Sequence, residues 1–120
     1  MLAIVSEIER GRWVLVTSDA IDEEIDEMAD PQRLERVRNS IPRKRQHIRF
    51  DDQIIARALA LESLGFLGMD ALHVAAAEGA RADVFLTTDD RLLRRAKRQR
   101  PRLRVAVENP LTWLQNVLKE

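Results

Sequence analysis

The segment ADVFLTTDDRLLRRA, residues 82–96, joins an apolar run to a basic one through two adjacent aspartates. Its first part, residues 82–88, is almost continuously apolar, which predicts a strand that is covered on both faces. The part that follows Asp89 has the pattern of a helix, and Asp89 stands where a helix N-cap would stand. A buried strand that passes directly into a helix is typical of an α/β domain with a parallel sheet.

The same alternation of strands and helices continues along the chain. WVLVTS at residues 13–18 and LRVAV at residues 103–107 are further apolar runs that predict buried strands, and HIRF at residues 47–50 gives a weaker prediction. Helices are predicted over residues 1–10, 19–28, 31–40 and 111–118. Two more are predicted to begin at a cap formed by Asp51 or Asp52, and at Asp70. We therefore expect one α/β domain over residues 1–120, with helices on both faces of a parallel sheet.

Composition excludes several classes of protein. The chain has 120 residues, of which 45% are hydrophobic, so it can bury one core. It has no cysteine, which excludes disulfides and thiolate zinc sites. No apolar run approaches the roughly 18 residues that span a bilayer, and the acidic start MLAIVSEIER does not resemble a signal peptide. We expect a cytoplasmic protein with no membrane partner.

The formal net charge is zero, but the charges are segregated along the chain. Residues 19–30 carry acids and no base, whereas residues 91–104 carry bases and no acid. These runs are either solvated helix faces, or acids gathered around a cation with bases placed for a polyanion.

Three acids could meet at one edge of the predicted sheet, because sites in parallel sheets lie at the carboxyl ends of the strands. Asp89 directly follows one strand, Glu24 follows another by a turn and a half of helix, and Asp70 opens a helix after a glycine loop. Two carboxylates about 4 Å apart repel by roughly 4 kcal/mol at an effective dielectric of about 20, so a cluster of three needs a cation. Mg²⁺ or Mn²⁺ suits such oxygen ligands. Otherwise Asp70 and Asp89 are helix caps and Glu24 is a solvated helix acid.

Three neighbouring side chains are candidates for substrate contact. His73 lies one turn beyond Asp70 and could contact a phosphate, or it could be a half-buried histidine of the core. Thr87 ends the strand and could orient Asp89 or a water, and Arg91 opens the basic run that could face a polyanion.

Taken together and in order, these motifs resemble those of PIN-domain nucleases. MDALHVAAA, headed by Asp70, resembles the third acidic motif of that family, and FLTTDDRLL, with Thr87 and Asp89, resembles the fourth. VTSDAIDEEI, with Ser18 and Glu24, resembles the second, and the closing ENPLTWL is similar to the end of many bacterial PIN proteins.

The resemblance implies a three-layer α/β/α sandwich with a parallel sheet, and a ribonuclease that depends on Mg²⁺ or Mn²⁺, such as the VapC-type toxins of bacterial toxin–antitoxin pairs. Glu24, Asp70 and Asp89 would then be the catalytic residues and metal ligands, and the basic runs would hold RNA. The implied partners are RNA, an antitoxin protein and a second copy of the chain.

The sequence departs from this family at its start. The family's first acidic motif ends an N-terminal strand, whereas MLAIVSEIER has a helical pattern. We therefore expect an N-terminally truncated PIN-like domain with a compromised site. Three explanations of the missing N-terminal strand are open. The native start could lie upstream, which we favour. Alternatively, a second chain could supply the strand, or the protein could have lost catalysis. A catalytically inactive PIN-like module that binds RNA or a protein is the alternative, and an unrelated α/β signalling domain is a third reading.

Overall fold

A computed structural model describes residues 15–18, 29–32, 35 and 45–118 of the chain. Helices and strands alternate in the order β1 (Leu15–Ser18), β2 (Arg45–Ile48), α1 (Asp52–Ser63), α2 (Gly68–Gly79), β3 (Val84–Leu86), α3 (Asp90–Arg98), a 3₁₀ helix (Arg100–Arg102), β4 (Ala106–Glu108) and α4 (Pro110–Leu118). Residues 31, 32 and 35 are also helical. The helices predicted over residues 1–10 and 19–28 lie outside the described residues, as does Glu24.

The strands pair in parallel, as predicted. β1 lies beside β2 with Leu15 opposite Arg45, and β3 lies beside β4 with Val84 opposite Ala106. Within the described residues these are two separate two-stranded sheets, and α2 contacts both β1 and β3. The chain is thus a mixed helix and strand protein with parallel pairing, which is compatible with the predicted α/β class; the three-layer sandwich stays a prediction.

The strand predicted over residues 82–88 is shorter in the structure, at Val84–Leu86, and two other predicted strands are displaced along the chain. The strand predicted over residues 103–107 is displaced to Ala106–Glu108, because the backbone N–H of Arg104 donates to the Glu78 carboxylate (2.7 Å) instead of joining a strand ladder. The strand predicted over residues 47–50 occurs earlier, at Arg45–Ile48. Both differences arise from pairing and long-range contacts that local apolar patterns do not record.

The core lies where α1, α2 and α3 meet β3 and β4. Leu61 of α1 and Val74 of α2 are fully buried, and the alanines of α2 pack among them. Gly79 at the end of α2 lies close to α1, since a Cβ at this position would lie 3.1 Å from Cγ1 of Ile54. The small residues of α2 therefore let α1 pack closely against it, which accounts for the alanine-rich sequence of α2.

Helix α1 begins and ends with specific caps. The carboxylate of Asp51 accepts a hydrogen bond from the N–H of Ile54 (2.8 Å), which confirms the predicted N-cap. At the other end Gly65 has a φ of 100°, and the N–H of Phe66 donates to the carbonyl of Leu61 (3.2 Å). This is a Schellman motif, and it buries Phe66 directly after the turn.

Helix α2 begins at Gly68, so the prediction that Asp70 opens this helix is wrong. Leu67 is the N-cap residue, and the N–H of Ala71 donates to its carbonyl (2.7 Å). The helix therefore begins two residues before the aspartate. Asp70 lies in the first turn, where its charge complements the helix dipole but does not cap the helix.

A buried ion pair links α1 to α2. Nε of Arg57 lies 2.7 Å from Oε1 of Glu78, whose side chain is only 3% exposed. The same guanidinium donates to the carbonyl of Arg102 (2.6 Å), and Glu78 also accepts the N–H of Arg104. The ion pair therefore holds the segment that leads into β4 against α1 and α2.

None of the described helices is both long enough and apolar enough to cross a membrane.

Candidate functional site: an arginine-lined cleft

A cleft of about 550 Å³ lies between the turn that follows α1 and the helix α3. One wall consists of residues 65–67 together with Asp70, from the turn and from α2. The opposite wall is α3, which contributes Leu92 and four arginines at positions 91, 94, 95 and 98. We call this the arginine cleft.

The four arginines share one face of α3. Their positions follow the spacing i, i+3, i+4 and i+7, which places side chains on the same side of a helix. Leu92 and Ala96 of α3 are buried in the core, and Asp89 fixes the N-terminus of the helix. The arginines are therefore presented by a helix whose orientation the core sets.

Gly65 brings the turn into contact with α3. A Cβ at this position would lie 2.9 Å from Cζ of Arg95, so the guanidinium packs where a side chain would otherwise be. Nε2 of Gln99 also donates to the carbonyl of Leu64 (3.4 Å). These contacts hold the two walls of the arginine cleft at a fixed separation.

Asp70 lies among these arginines. It is the one acidic side chain among the described residues that line the cleft, against four cationic ones. The lining is thus strongly cationic, with a carboxylate within it.

Asp89 caps α3, as the capping interpretation predicted. Its Oδ1 accepts hydrogen bonds from the N–H groups of Arg91 (2.9 Å) and Leu92 (3.3 Å). Because Arg91 and Leu92 also line the arginine cleft, Asp89 lies at the end of the cleft wall. Both bonds go to the same oxygen, so Oδ2 accepts no hydrogen bond from the described residues.

Thr87 fixes the backbone on which Asp89 stands. Its Oγ1 accepts a hydrogen bond from the N–H of Asp89 (3.1 Å), and its own N–H donates to the carbonyl of Glu108 (3.0 Å). The second bond extends the β3–β4 pairing by one residue. Thr87 thus connects the end of the strand to the cap of α3, and the structure places it against the backbone of Asp89.

His73 packs against the sheet. It is 9% exposed, and its ring centroid lies 5.9 Å from that of Phe85 in β3. It does not line the arginine cleft in the part of the chain that the structure describes. Arg91, by contrast, lies on the cleft wall.

The structure describes two of the three predicted acids. Asp70 lines the cleft, and Asp89 caps the helix that forms its wall; Glu24 lies outside the described ranges. Among residues 45–118 and the shorter described segments, no three His, Cys, Asp or Glu side chains form a metal-binding group. The predicted convergence of three carboxylates stays a prediction.

Sequence reasoning missed the arginine cleft as such, although a signal was present. The spacing of the arginines after Asp90 gives one helical face, and Gly65 marked a turn. What the sequence did not show is that the turn faces that helix.

The fold and the cleft define a mixed helix and strand protein with parallel strand pairing and an arginine-lined cleft along helix α3. Comparisons of the chain with protein-family models, with curated proteins and with solved structures found no match.

Proposed function

We propose that this chain is a metal-dependent ribonuclease of the PIN type, in which the arginine cleft holds RNA and Glu24, Asp70 and Asp89 serve the hydrolysis of a phosphodiester. One observation carries the proposal: Asp70 lies in a cleft with four arginines whose wall is the helix that Asp89 caps. A surface suited to phosphates thus contains one acid of the resembling motifs, and its wall is the helix that a second such acid caps.

Each kind of side chain has a distinct role in this proposal. The planar guanidinium groups bind phosphate oxygens through paired hydrogen bonds and neutralise the backbone. Asp70, Asp89 and Glu24 would hold Mg²⁺ or Mn²⁺, which prefers carboxylate oxygens. The bound metal would supply Lewis-acid chemistry at the phosphodiester.

The donor chemistry of the described residues is compatible with such a metal. Asp89 uses Oδ1 for the helix cap, which leaves Oδ2 to face a cation. The hydroxyl of Thr87 accepts the backbone N–H of Asp89, which restrains the direction of the Asp89 side chain. Asp70 adds a second carboxylate in the cleft, and the proposal requires Glu24 or water for the remaining positions.

A catalytically inactive module that binds RNA or a protein is the second candidate. It is favoured by the use of Asp89 as a helix cap, and by the absence of a three-ligand group among the described residues. An antitoxin partner, a homodimer and a cytoplasmic location belong to the proposed resemblance and depend on it.

Cleavage of single-stranded RNA in the presence of Mn²⁺ tests the proposal. The Asp70→Asn, Asp89→Asn double variant should lose cleavage, because amides are neutral and are poorer ligands for a hard cation. The Asp51→Asn, Asp52→Asn double variant is a matched control, since it removes two acids from the start of α1, and it should cleave like the unaltered protein.

Cleavage that survives the Asp70→Asn, Asp89→Asn change would show that these acids are not catalytic. If the unaltered protein binds RNA without cutting it, and Mn²⁺ does not raise its melting temperature, the inactive module is the better description.

A further inference from the structure

We infer that His73 is a positioning residue, which sets where Asp70 and Asp89 lie relative to each other through its contact with Phe85. The inference rests on the proposed function for the roles of the two acids. The contact, and the geometry that it fixes, do not depend on a metal or on catalysis. His73 thus has a role other than the predicted contact with a phosphate, since its imidazole packs against the sheet.

The two acids stand on different elements of the fold. Asp70 lies in the first turn of α2, whereas Asp89 follows β3 and caps α3. No short run of backbone relates them, so the packing between these elements determines how far apart the two carboxylates are. Helix α2 contacts β3 directly, and the side chains at that contact therefore control the relative position of the acids.

His73 connects the helix of the first acid to the strand that leads to the second. It lies three residues after Asp70 in α2, a spacing that makes two side chains neighbours on a helix surface. Its ring centroid is 5.9 Å from that of Phe85 in β3, and the two ring planes are inclined by 37°. Aromatic rings at such a separation attract each other in preferred orientations, so the pair holds α2 and β3 in a specific arrangement.

The segment between Phe85 and Asp89 transmits this arrangement to the second acid, because its backbone is held at two points. The N–H of Thr87 donates to the carbonyl of Glu108 (3.0 Å), which ties the end of β3 to β4. Oγ1 of Thr87 accepts the N–H of Asp89 (3.1 Å). A displacement of Phe85 therefore displaces Asp89 as well.

The composition of α2 explains why one ring has this effect. Of the buried residues of α2, four are alanines and His73 is the one that carries a ring. Alanines let a helix approach its neighbours closely, but their short side chains do little to prevent it from sliding or turning. Burial of an imidazole has a desolvation cost that an apolar residue would avoid, and His73 is nevertheless 9% exposed. A specific contact that fixes α2 on β3 accounts for its place in the core.

The separation of the two backbones can be measured without catalysis, because the chain has no cysteine to compete for a thiol-reactive label. Spin labels on the Met69→Cys, Thr88→Cys variant stand one residue before each acid, and double electron–electron resonance gives the distribution of distances between them. We expect a narrow distribution in this labelled protein. Addition of His73→Ala removes the ring, so it should broaden the distribution and shift its mean.

Two further variants separate the contact from a general loss of stability. His73→Phe keeps a ring against Phe85 and should restore the distribution that is seen with histidine. Ile54→Ala is the matched control, since it also truncates a buried side chain, but near Gly79 at the opposite end of α2 from Asp70. It should lower the melting temperature, as His73→Ala does, and leave the distance distribution unchanged.

An unchanged distance distribution in His73→Ala would overturn the inference. So would an equal change in Ile54→Ala, since loss of stability alone would then account for the shift. Failure of His73→Phe to restore the distribution would overturn it as well, because the ring contact with Phe85 would not be what holds the two elements.

The cleavage assay adds a second readout. His73→Ala should lower kcat and raise the Mn²⁺ concentration for half-maximal cleavage, each by about tenfold, as expected for a residue that orients metal ligands. KM for RNA should stay the same, because the arginines of α3 are unaltered. Ile54→Ala should leave all three quantities unchanged per folded molecule, and a rise in KM alone in His73→Ala would contradict the positioning role.

The two proposals fail separately. If the distances respond to His73→Ala as expected, but the unaltered protein does not cleave RNA with Mn²⁺, the positioning of the two acids stands and the nuclease proposal falls. If Mn²⁺-dependent cleavage requires Asp70 and Asp89, but the distances and the Mn²⁺ requirement are insensitive to His73→Ala, the nuclease proposal stands and the positioning role falls.

Discussion

The guanidinium of Arg57 and the carboxylate of Glu78 form a buried ion pair, with 2.7 Å between Nε and Oε1. The hydrogen bond that Arg57 donates to Glu78 raises the pKa of Arg57 above its ordinary value, against the opposite effect of burial. A raised pKa in the folded state stabilises the fold below the ordinary pKa of arginine, and this contribution is lost as the pH rises through the raised value. The contribution that comes from the raised pKa of Arg57 is therefore present at neutral pH and is lost in strongly alkaline solution.

Glu78→Ala should lower the free energy of unfolding by about 3 kcal/mol, because it leaves Arg57 without its carboxylate and Arg104 N–H without its acceptor. Urea denaturation measures this decrease. Glu62→Gln, at an exposed position of the neighbouring helix, should change stability by less than about 0.5 kcal/mol. A similar decrease in both variants would mean that the pair has no special role.

Two substitutions of Asp89 separate its role as a helix cap from its proposed role in catalysis. Asp89→Ala removes both hydrogen bonds to the start of α3 and should lower the free energy of unfolding by about 1 kcal/mol. Asp89→Asn keeps a good cap, so it should keep stability within a few tenths of a kcal/mol while losing Mn²⁺-dependent cleavage. Thermal melts and RNA cleavage on the same samples give both quantities.

Asp51→Ala is the control for Asp89→Ala, since Asp51 caps α1 in the same manner. It should lower stability by a similar amount and leave cleavage per folded molecule unchanged. Full cleavage by Asp89→Asn would remove Asp89 from the proposed catalytic set.

Asp70→Asn should have opposite effects on binding and cleavage. It removes the one negative charge among the described lining residues of the arginine cleft, so RNA binding in EDTA should become several-fold tighter at low salt. Cleavage should be abolished if Asp70 holds the metal. Anisotropy and cleavage assays on this variant distinguish the two effects. Asp83→Asn, at an exposed position, is the control. Weaker RNA binding by Asp70→Asn in EDTA would contradict the electrostatic account of the cleft.

Arg81 has a φ of 55°, in the left-handed region that suits glycine. It follows α2, where the N–H of Ala82 donates to the carbonyl of Ala77 (3.0 Å) and completes a Schellman motif. Arg81→Gly should therefore raise the free energy of unfolding by up to about 1 kcal/mol, which urea denaturation would measure. Arg81→Ala keeps the Cβ and is the control; an equal gain in this variant would assign the effect to charge and not to backbone strain.

Local patterns predicted the elements whose causes are local. The caps at Asp51 and Asp89 were visible as acids at the start of an apolar helical pattern, and both accept the expected backbone hydrogen bonds. Parallel pairing followed from continuously apolar strands separated by helices. The caps depend on residues within a few positions of one another, and the parallel pairing is indicated by the alternation of strands and helices along the chain, so a single sequence is sufficient to predict both.

Features that depend on distant contacts were missed. The displacement of β4 follows from the bond between Arg104 and Glu78. Nothing in the sequence around Glu78 indicated a partner 21 residues away on another helix. The cleft was missed for the same reason, since its walls come from separate segments that only packing brings together.

The bond between the Arg104 amide and Glu78 also has a consequence for how the protein opens. This amide precedes β4 and donates to a buried side chain that also binds α1. Its hydrogen can exchange with solvent only after this bond to Glu78 opens. Arg104 should therefore exchange its amide hydrogen more slowly than a solvent-exposed amide does, so that the segment before β4 opens less readily than an ordinary surface turn.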